Sequence, residues 1–255
     1  MMLQDLTSWT GLPPSYLVIS ATMVFVAGAV RGFAGFGLSA VLMASIVVFV
    51  PPVELIPVCF ILEAAASLAM FRGGLREADL GTAVTLALFS AIGVPLGLAL
   101  TTSIDADLSK LFALVLVLTL TILQLLKVKM AVTSQRVAIP VTGFAAGVVS
   151  GLASIGGMVI ALYILASPKK AREMRGALVL YLFFGMLTSS VTLFLFGVLD
   201  EKAVVRGAIF SPLVLAGVFV GSKLFSRSLD QTYRRGCLYL LMLFAGAGLI
   251  RTVIF

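Results

Sequence analysis

The sequence contains no histidine. That removes the Ser/His and Cys/His nucleophile pairs and the imidazole on which most zinc and copper sites depend. Charge is also scarce: Asp, Glu, Lys and Arg make up 11% of 255 residues, against 61% hydrophobic. A soluble domain of this size cannot hide so much apolar surface behind so few charges. There are two cysteines, Cys59 and Cys237, both inside apolar runs. They read as buried thiols with no disulfide role. The single tryptophan, Trp9, lies near Tyr16 and suits an interfacial anchor. The first fifteen residues carry no basic side chain, so they do not read as a cleaved signal peptide. No GxxxxGK[ST] string is present, which excludes drive by a P-loop ATPase within the chain. No cofactor is expected. The net charge of +7 does not point to nucleic acid, because the basic residues sit in short loops between apolar runs. There they set topology and meet lipid headgroups.

What the sequence does have is apolar length. Apolar segments fall at about 16–50, 53–71, 81–101, 108–126, 137–166, 176–198, 203–224 and 234–254. Most match the roughly 20 residues needed to cross about 30 Å of hydrocarbon. The predicted fold class is an all-α polytopic membrane protein, with residues 1–255 as one membrane domain. Two segments are too long. The first, as one helix, would run roughly 52 Å at 1.5 Å per residue. Both carry a glycine-rich string near the middle: Gly32-Phe33-Ala34-Gly35-Phe36-Gly37 and Gly151-Leu152-Ala153-Ser154-Ile155-Gly156-Gly157. They read as helices broken at membrane depth.

The two strings echo each other. A slide of 119 residues places Gly28 on Gly147, Gly32 on Gly151 and Gly37 on Gly156. A slide of 124 places Gly73 on Gly197, Glu77 on Glu201, Gly93 on Gly217 and Gly97 on Gly221. A slide of 125 places Asp105 on Asp230 and Lys110 on Arg235. The chain is thus read as two repeats, about 16–127 and 137–254.

Loop charge sets their relation. If every segment crosses once, loop Lys and Arg divide eight to nine, which violates the positive-inside rule. If the two broken segments return to their starting side, one side collects thirteen: Arg72, Arg76, Lys127, Lys129, Arg136, Lys169, Lys170, Arg172, Arg175, Lys223, Arg227, Arg234 and Arg235. The other side keeps four, Lys110, Lys202, Arg206 and Arg251. Each repeat then makes an odd number of crossings. The repeats are inverted, and both termini lie outside the cytoplasm.

Arg31 is the candidate for chemistry. It stands inside an apolar run, directly before the first glycine string, where a charge is costly and faces a cavity or a partner. One reading makes it an anion-binding guanidinium; the other pairs it structurally with Glu63. Helices that restart after a break aim free N–H groups and a positive dipole end at the break. Two such breaks from opposed repeats would surround one small anion. The expected substrate site is Arg31, Gly32, Phe33, Gly35, Phe36, Gly37 and Ser39, with Ser150, Gly151, Ser154, Ile155, Gly156 and Gly157. The alternative is close packing of helices through small residues. Glu63 reads equally as a proton-coupling carboxylate or as the partner of Arg31. Glu54 reads as interfacial. Tyr163, Tyr181 and Gln124 read as helix-to-helix hydrogen bonds. No metal site is expected.

The run Gly28-Ala-Val-Arg31-Gly32-Phe33-Ala-Gly35-Phe36-Gly37, echoed by Gly147-Val-Val-Ser150-Gly151-Leu152-Ala-Ser154-Ile155-Gly156-Gly157, resembles the duplicated glycine motif of the sulfite exporter TauE/SafE family. The resemblance covers nearly the whole chain. It implies a prokaryotic permease of the cytoplasmic membrane that moves a small sulfur-containing anion such as sulfite or a sulfonate. The family's motif often continues as a longer glycine run, whereas Leu38-Ser39 follows Gly37 here and Ser154 stands where the first copy has Gly35. These departures point to a pocket shaped for a substrate other than sulfite.

The leading expectation is a secondary transporter working by alternating access, with a small anion and the lipid bilayer as partners and a homo-oligomer left open. An anion channel sharing the same glycine loops is the runner-up. A membrane-embedded enzyme is disfavoured, because only Arg31 and Glu63 are ionisable at depth.

Overall fold

The computed structural model describes residues 7–77, 79–128, 135–166, 171–224 and 230–254. Lys129, Lys169, Lys170 and Arg227 lie outside the described residues, as do the side chains of Arg76, Glu77, Arg172, Arg175, Asp230, Arg234, Arg235 and Cys237. Among the described residues the chain is all helical. The elements are α1 (Pro14–Ala34), α2 (Leu38–Ile46), α3 (Pro52–Glu77), α4 (Leu80–Ser103), α5 (Ala106–Leu125), α6 (Gln135–Ala153), α7 (Gly156–Ala166), α8 (Ala171–Leu195), α9 (Glu201–Leu224) and α10 (Asp230–Ile254).

Hydrocarbon offers no partner to a backbone N–H or C=O, so a spanning segment must close its own hydrogen bonds as a helix. Seven described helices (α1, α3, α4, α5, α6, α8 and α9) contain stretches long and apolar enough to cross, and Leu238–Thr252 in α10 is a shorter apolar stretch. The protein is a multi-pass membrane protein. One face of α4 exposes Leu88, Ile92, Leu96 and Leu100, while Leu86, Ser90, Gly93, Val94 and Gly97 are buried on the other. In water that leucine stripe would be a liability; against lipid tails it matches its solvent. Among the described residues, three helix starts are capped by aspartate carboxylates. Asp79 accepts from Thr82 N at 3.3 Å, Asp105 from Leu108 N at 2.9 Å and Asp200 from Ala203 N at 2.8 Å.

The segment expected at 16–50 divides into α1 and α2, and that at 137–166 into α6 and α7. The gaps are shorter than the glycine strings. Gly32 and Phe33 stay helical and the chain turns at Gly35-Phe36-Gly37; Gly151 to Ala153 stay helical and it turns at Ser154-Ile155. The reason is packing. A Cβ on Gly32 would overlap the Val218 backbone of α9, and one on Gly151 would overlap the backbone of α4 at Val94 and Leu98. The ring of Tyr16, at the start of α1, stacks on Phe49, just after α2, with centroids 4.4 Å apart. The chain therefore doubles back between them.

Two helix pairs dominate the packing between the halves. Gly28 and Gly32 of α1 meet Val214 and Val218 of α9, and Gly217 and Gly221 answer against Phe25 and Ala29. Gly143, Gly147 and Gly151 of α6 meet Leu86, Ser90 and Val94 of α4, with Gly93 and Gly97 answering. Contacts rise together along both chains, so each pair runs parallel. Small residues four apart let backbones approach closely where lipid gives no hydrophobic drive. Exchanging the halves (α1 for α6, α2 for α7, α3 for α8, α4 for α9, α5 for α10) carries the α1–α9 contact onto α6–α4, α3–α9 onto α8–α4, and α2–α10 onto α7–α5. It leaves the α3–α8 and α5–α10 contacts in place.

At one end, Arg206 of α9 is nearly buried. Its Nε donates to the Thr10 carbonyl at 2.7 Å and its Nη1 to Glu54 Oε2 at 2.9 Å. Arg206 counts as a loop charge by sequence, but it is a tether between the halves.

Candidate functional site

The first break is filled from within. Gly35 adopts φ 82° at the end of α1, and its N–H returns to the Arg31 carbonyl at 2.9 Å. The Arg31 side chain is fully buried and all three of its nitrogens are used. Nε donates to Glu63 Oε2 at 3.0 Å, Nη2 to Ser67 Oγ at 3.1 Å, and Nη1 to the Gly35 carbonyl. The second oxygen of Glu63 accepts from Ser39 Oγ at 3.1 Å and, at 3.4 Å, from Ser39 N. A cation thus closes the C-terminus of α1 and a carboxylate faces the N-terminus of α2, each at the dipole end that favours it. Neither reading of Arg31 is discarded by this geometry, but the pairing with Glu63 is direct.

The second break repeats the backbone and changes the chemistry. Ser154, 119 residues after Gly35, takes φ 58°, and its N–H returns to the Ser150 carbonyl at 2.7 Å. Ser150 lies 119 residues after Arg31, the same offset as Ser154 from Gly35. The hydroxyl of Tyr181 shares a 3.1 Å hydrogen bond with Ser90 Oγ, and Ser150 lies close by. One break holds an ion pair; the other holds a cluster of neutral hydroxyls.

A cavity of about 60 Å³ lies beside that cluster, between the halves. A buried water needs about 10–15 Å³, so the space takes roughly four to six water-sized groups. Its polar lining is Glu63, Ser90, Ser150, Ser154, Tyr181 and Ser189. Ile56, Phe60, Val94, Leu98, Met186 and Leu193 supply much of its apolar wall. Glu63 is the one ionisable carboxylate in this lining, and 13% of its side chain is exposed, against none of Arg31.

Of the residues singled out by sequence, Glu63, Ser150, Gly151 and Ser154 line this cavity. Arg31 and Ser39 stand behind Glu63. Phe33, Phe36 and Ile155 are buried, and Gly32 packs on α9. Gly156 lies against Ser150 and Ala146, and a Cβ on Gly157 would sit 3.8 Å from Phe36 Cβ, so the two breaks approach each other there. Sequence reasoning missed Ser90 altogether. The available signal was its register: Ser90, Gly93 and Gly97 fall on one face of α4. Tyr181 makes the helix-to-helix hydrogen bond expected of it and also lines the cavity. Gln124 bonds the Met158 carbonyl at 3.1 Å, also between helices.

Neither a curated protein nor a solved structure matches the chain. A family model does, the one described as Sulfite exporter TauE/SafE, over residues 20–249. That match takes in α1 from residue 20, the whole of the other six described helices that are long and apolar enough to span, and both breaks; the chain belongs to the sulfite exporter TauE/SafE family.

Proposed function

We propose that this protein is a secondary transporter that moves a small sulfur-containing anion, such as sulfite or an organosulfonate, across the prokaryotic cytoplasmic membrane by alternating access. The observation that carries the reading is the cavity between the halves, sized for a sulfur atom with its oxygens and lined by hydroxyl donors at a helix break. The family, named for sulfite export, supports transport of this class. Ser150 and Tyr181 are the proposed anion donors, with Ser90 and Ser154 beside them. The apolar wall favours a substrate with a short hydrocarbon body over bare sulfite.

The halves are proposed to be inverted repeats. The Tyr16–Phe49 stack supports a first segment that returns to its starting side. The loop charges, thirteen against four, support both termini outside the cytoplasm. The matched contacts under exchange of halves support two equivalent bundles that rock around a fixed site. An anion leaving the inside-negative cell needs no coupling; uptake does.

The test is flux in proteoliposomes across sulfite, sulfate, thiosulfate, sulfoacetate, taurine and acetate, with thermal stabilisation of the purified protein as the binding readout. At least one sulfur anion should be carried and should raise the melting temperature. Tyr181→Phe and Ser150→Ala should each weaken that anion about tenfold, the loss of a hydrogen bond to a charged group of about 1.5 kcal/mol. Unchanged binding in both variants refutes the hydroxyl site. Flux per molecule far above carrier turnover would establish the channel instead.

A further inference from the structure

Arg31 keeps its positive charge in every state of the protein, because a guanidinium does not deprotonate. Buried as it is, it needs one counter-ion. In this structure that counter-ion is Glu63, whose carboxylate also borders the cavity. A substrate anion held by Ser150 and Tyr181 would share the cavity with Glu63, placing two negative charges beside one buried positive charge. Low-dielectric surroundings disfavour that arrangement. The charge balances if the anion takes over as counter-ion while Glu63 binds a proton.

We propose that Glu63 is the proton-binding residue of the transport cycle, and that its carboxylate and the substrate anion are alternative counter-ions to Arg31. This rests on the anion reading above. The empty site is Arg31 with ionised Glu63; the loaded site is Arg31, neutral Glu63 and a bound anion. A monoanion and a proton therefore travel together, and the site carries the same net charge in both forms. The surroundings of Glu63 are suited to the exchange. Its ionisable neighbours are Arg31 from α1, Cys59 one turn back on α3, and Tyr181 from α8. The hydroxyls of Ser39, Ser90 and Ser150 come from α2, α4 and α6, and that of Ser154 from the turn after α6. Arg206 of α9 is held by Glu54 and offers no second counter-ion. When neutral, Glu63 can still accept from Ser39, so proton binding does not strand a buried hydroxyl.

The experiment is proton uptake by the purified protein in weakly buffered detergent solution, on adding sulfate, thiosulfate, methanesulfonate or ethanesulfonate. These anions keep their charge across the working pH, so any proton taken up is the protein's. The wild type should take up one proton per monoanion bound, and its affinity should rise by up to tenfold per unit fall in pH. Glu63→Asp should keep the uptake. Glu63→Gln should bind with no uptake and no pH dependence, and should gain more thermal stability from the anion than the wild type does, because the anion restores a counter-ion to Arg31. An anion that binds the wild type with no proton uptake overturns the coupling and leaves the anion site standing. Failure of every anion to bind overturns the anion site and the coupling with it. The wild-type measurement decides the matter even if Glu63→Gln does not fold.

Discussion

Replacing Arg31 by methionine removes a buried guanidinium and leaves the Glu63 carboxylate with Ser39 as its one donor among the described residues. The cost follows from the geometry. At the observed 3.0 Å and an effective dielectric of about 20, the attraction lost is about 5.5 kcal/mol. Stripping one partner from a buried pair costs roughly 3–5 kcal/mol once the freed charge relaxes. At roughly 2–4 °C per kcal/mol for a chain of this size, the melting temperature in detergent should fall by roughly 10 °C. The informative comparison is the cycle with Glu63→Gln. Each single variant should be destabilised, and the double variant should recover most of the loss, because it removes both charges and leaves an amide that still accepts from Ser39. Because the double variant then costs less than either single, the coupling energy should be at least about 3 kcal/mol. If Arg31→Met melts with the wild type, or the double variant falls by the sum of the singles, Arg31 is not the counter-ion of Glu63. The proton exchange inferred above would then have no physical basis.

Two further outcomes follow from the backbone. Gly147→Ala places a Cβ 2.7 Å from Ser90 Cα, a backbone atom that cannot move aside. It should cost about 1–3 kcal/mol, whereas Gly246→Ala in α10, with nothing within 4 Å of its new Cβ, should melt with the wild type. Ser154→Gly should relieve the left-handed φ of 58° by roughly 1–2 kcal/mol, raising the melting temperature while it weakens anion binding through the lost cavity hydroxyl. A lower melting temperature would show that Ser154 stabilises its turn by its side chain.

Much of this architecture is legible in the residues alone. The spans are legible because hydrocarbon thickness demands about 20 apolar residues wherever the chain crosses. The two interruptions are legible because 35 and 30 apolar residues are too many for one crossing, and because Gly35 and Gly37 permit the left-handed conformations they adopt at φ 82° and 94°. Arg31 is legible because a lone charge at depth must have a partner. Less legible is what each glycine is for. Gly32 and Gly151 look the same in sequence whether a ligand or a helix backbone approaches them; in the fold they meet α9 and α4. Arg206 reads as a loop charge because it stands near the start of an apolar segment, four residues after Lys202, yet it is bound by Thr10 and Glu54.

The sequence by itself determined where the chain enters and leaves the bilayer, where it breaks, and which residues are too polar to face lipid. Those features depend on local composition and on the solvent. The tertiary structure decided which polar groups meet. Ser90 and Tyr181 are 91 residues apart, and Arg31 and Ser67 are 36 apart. Nothing in the spacing of either pair brings its members together. The parallel packing of α4 on α6, with α3 and α8 beside them, assembles the hydroxyls and Glu63 around one cavity, because close contact between two glycine faces fixes both the distance and the rotation of the helices that carry them.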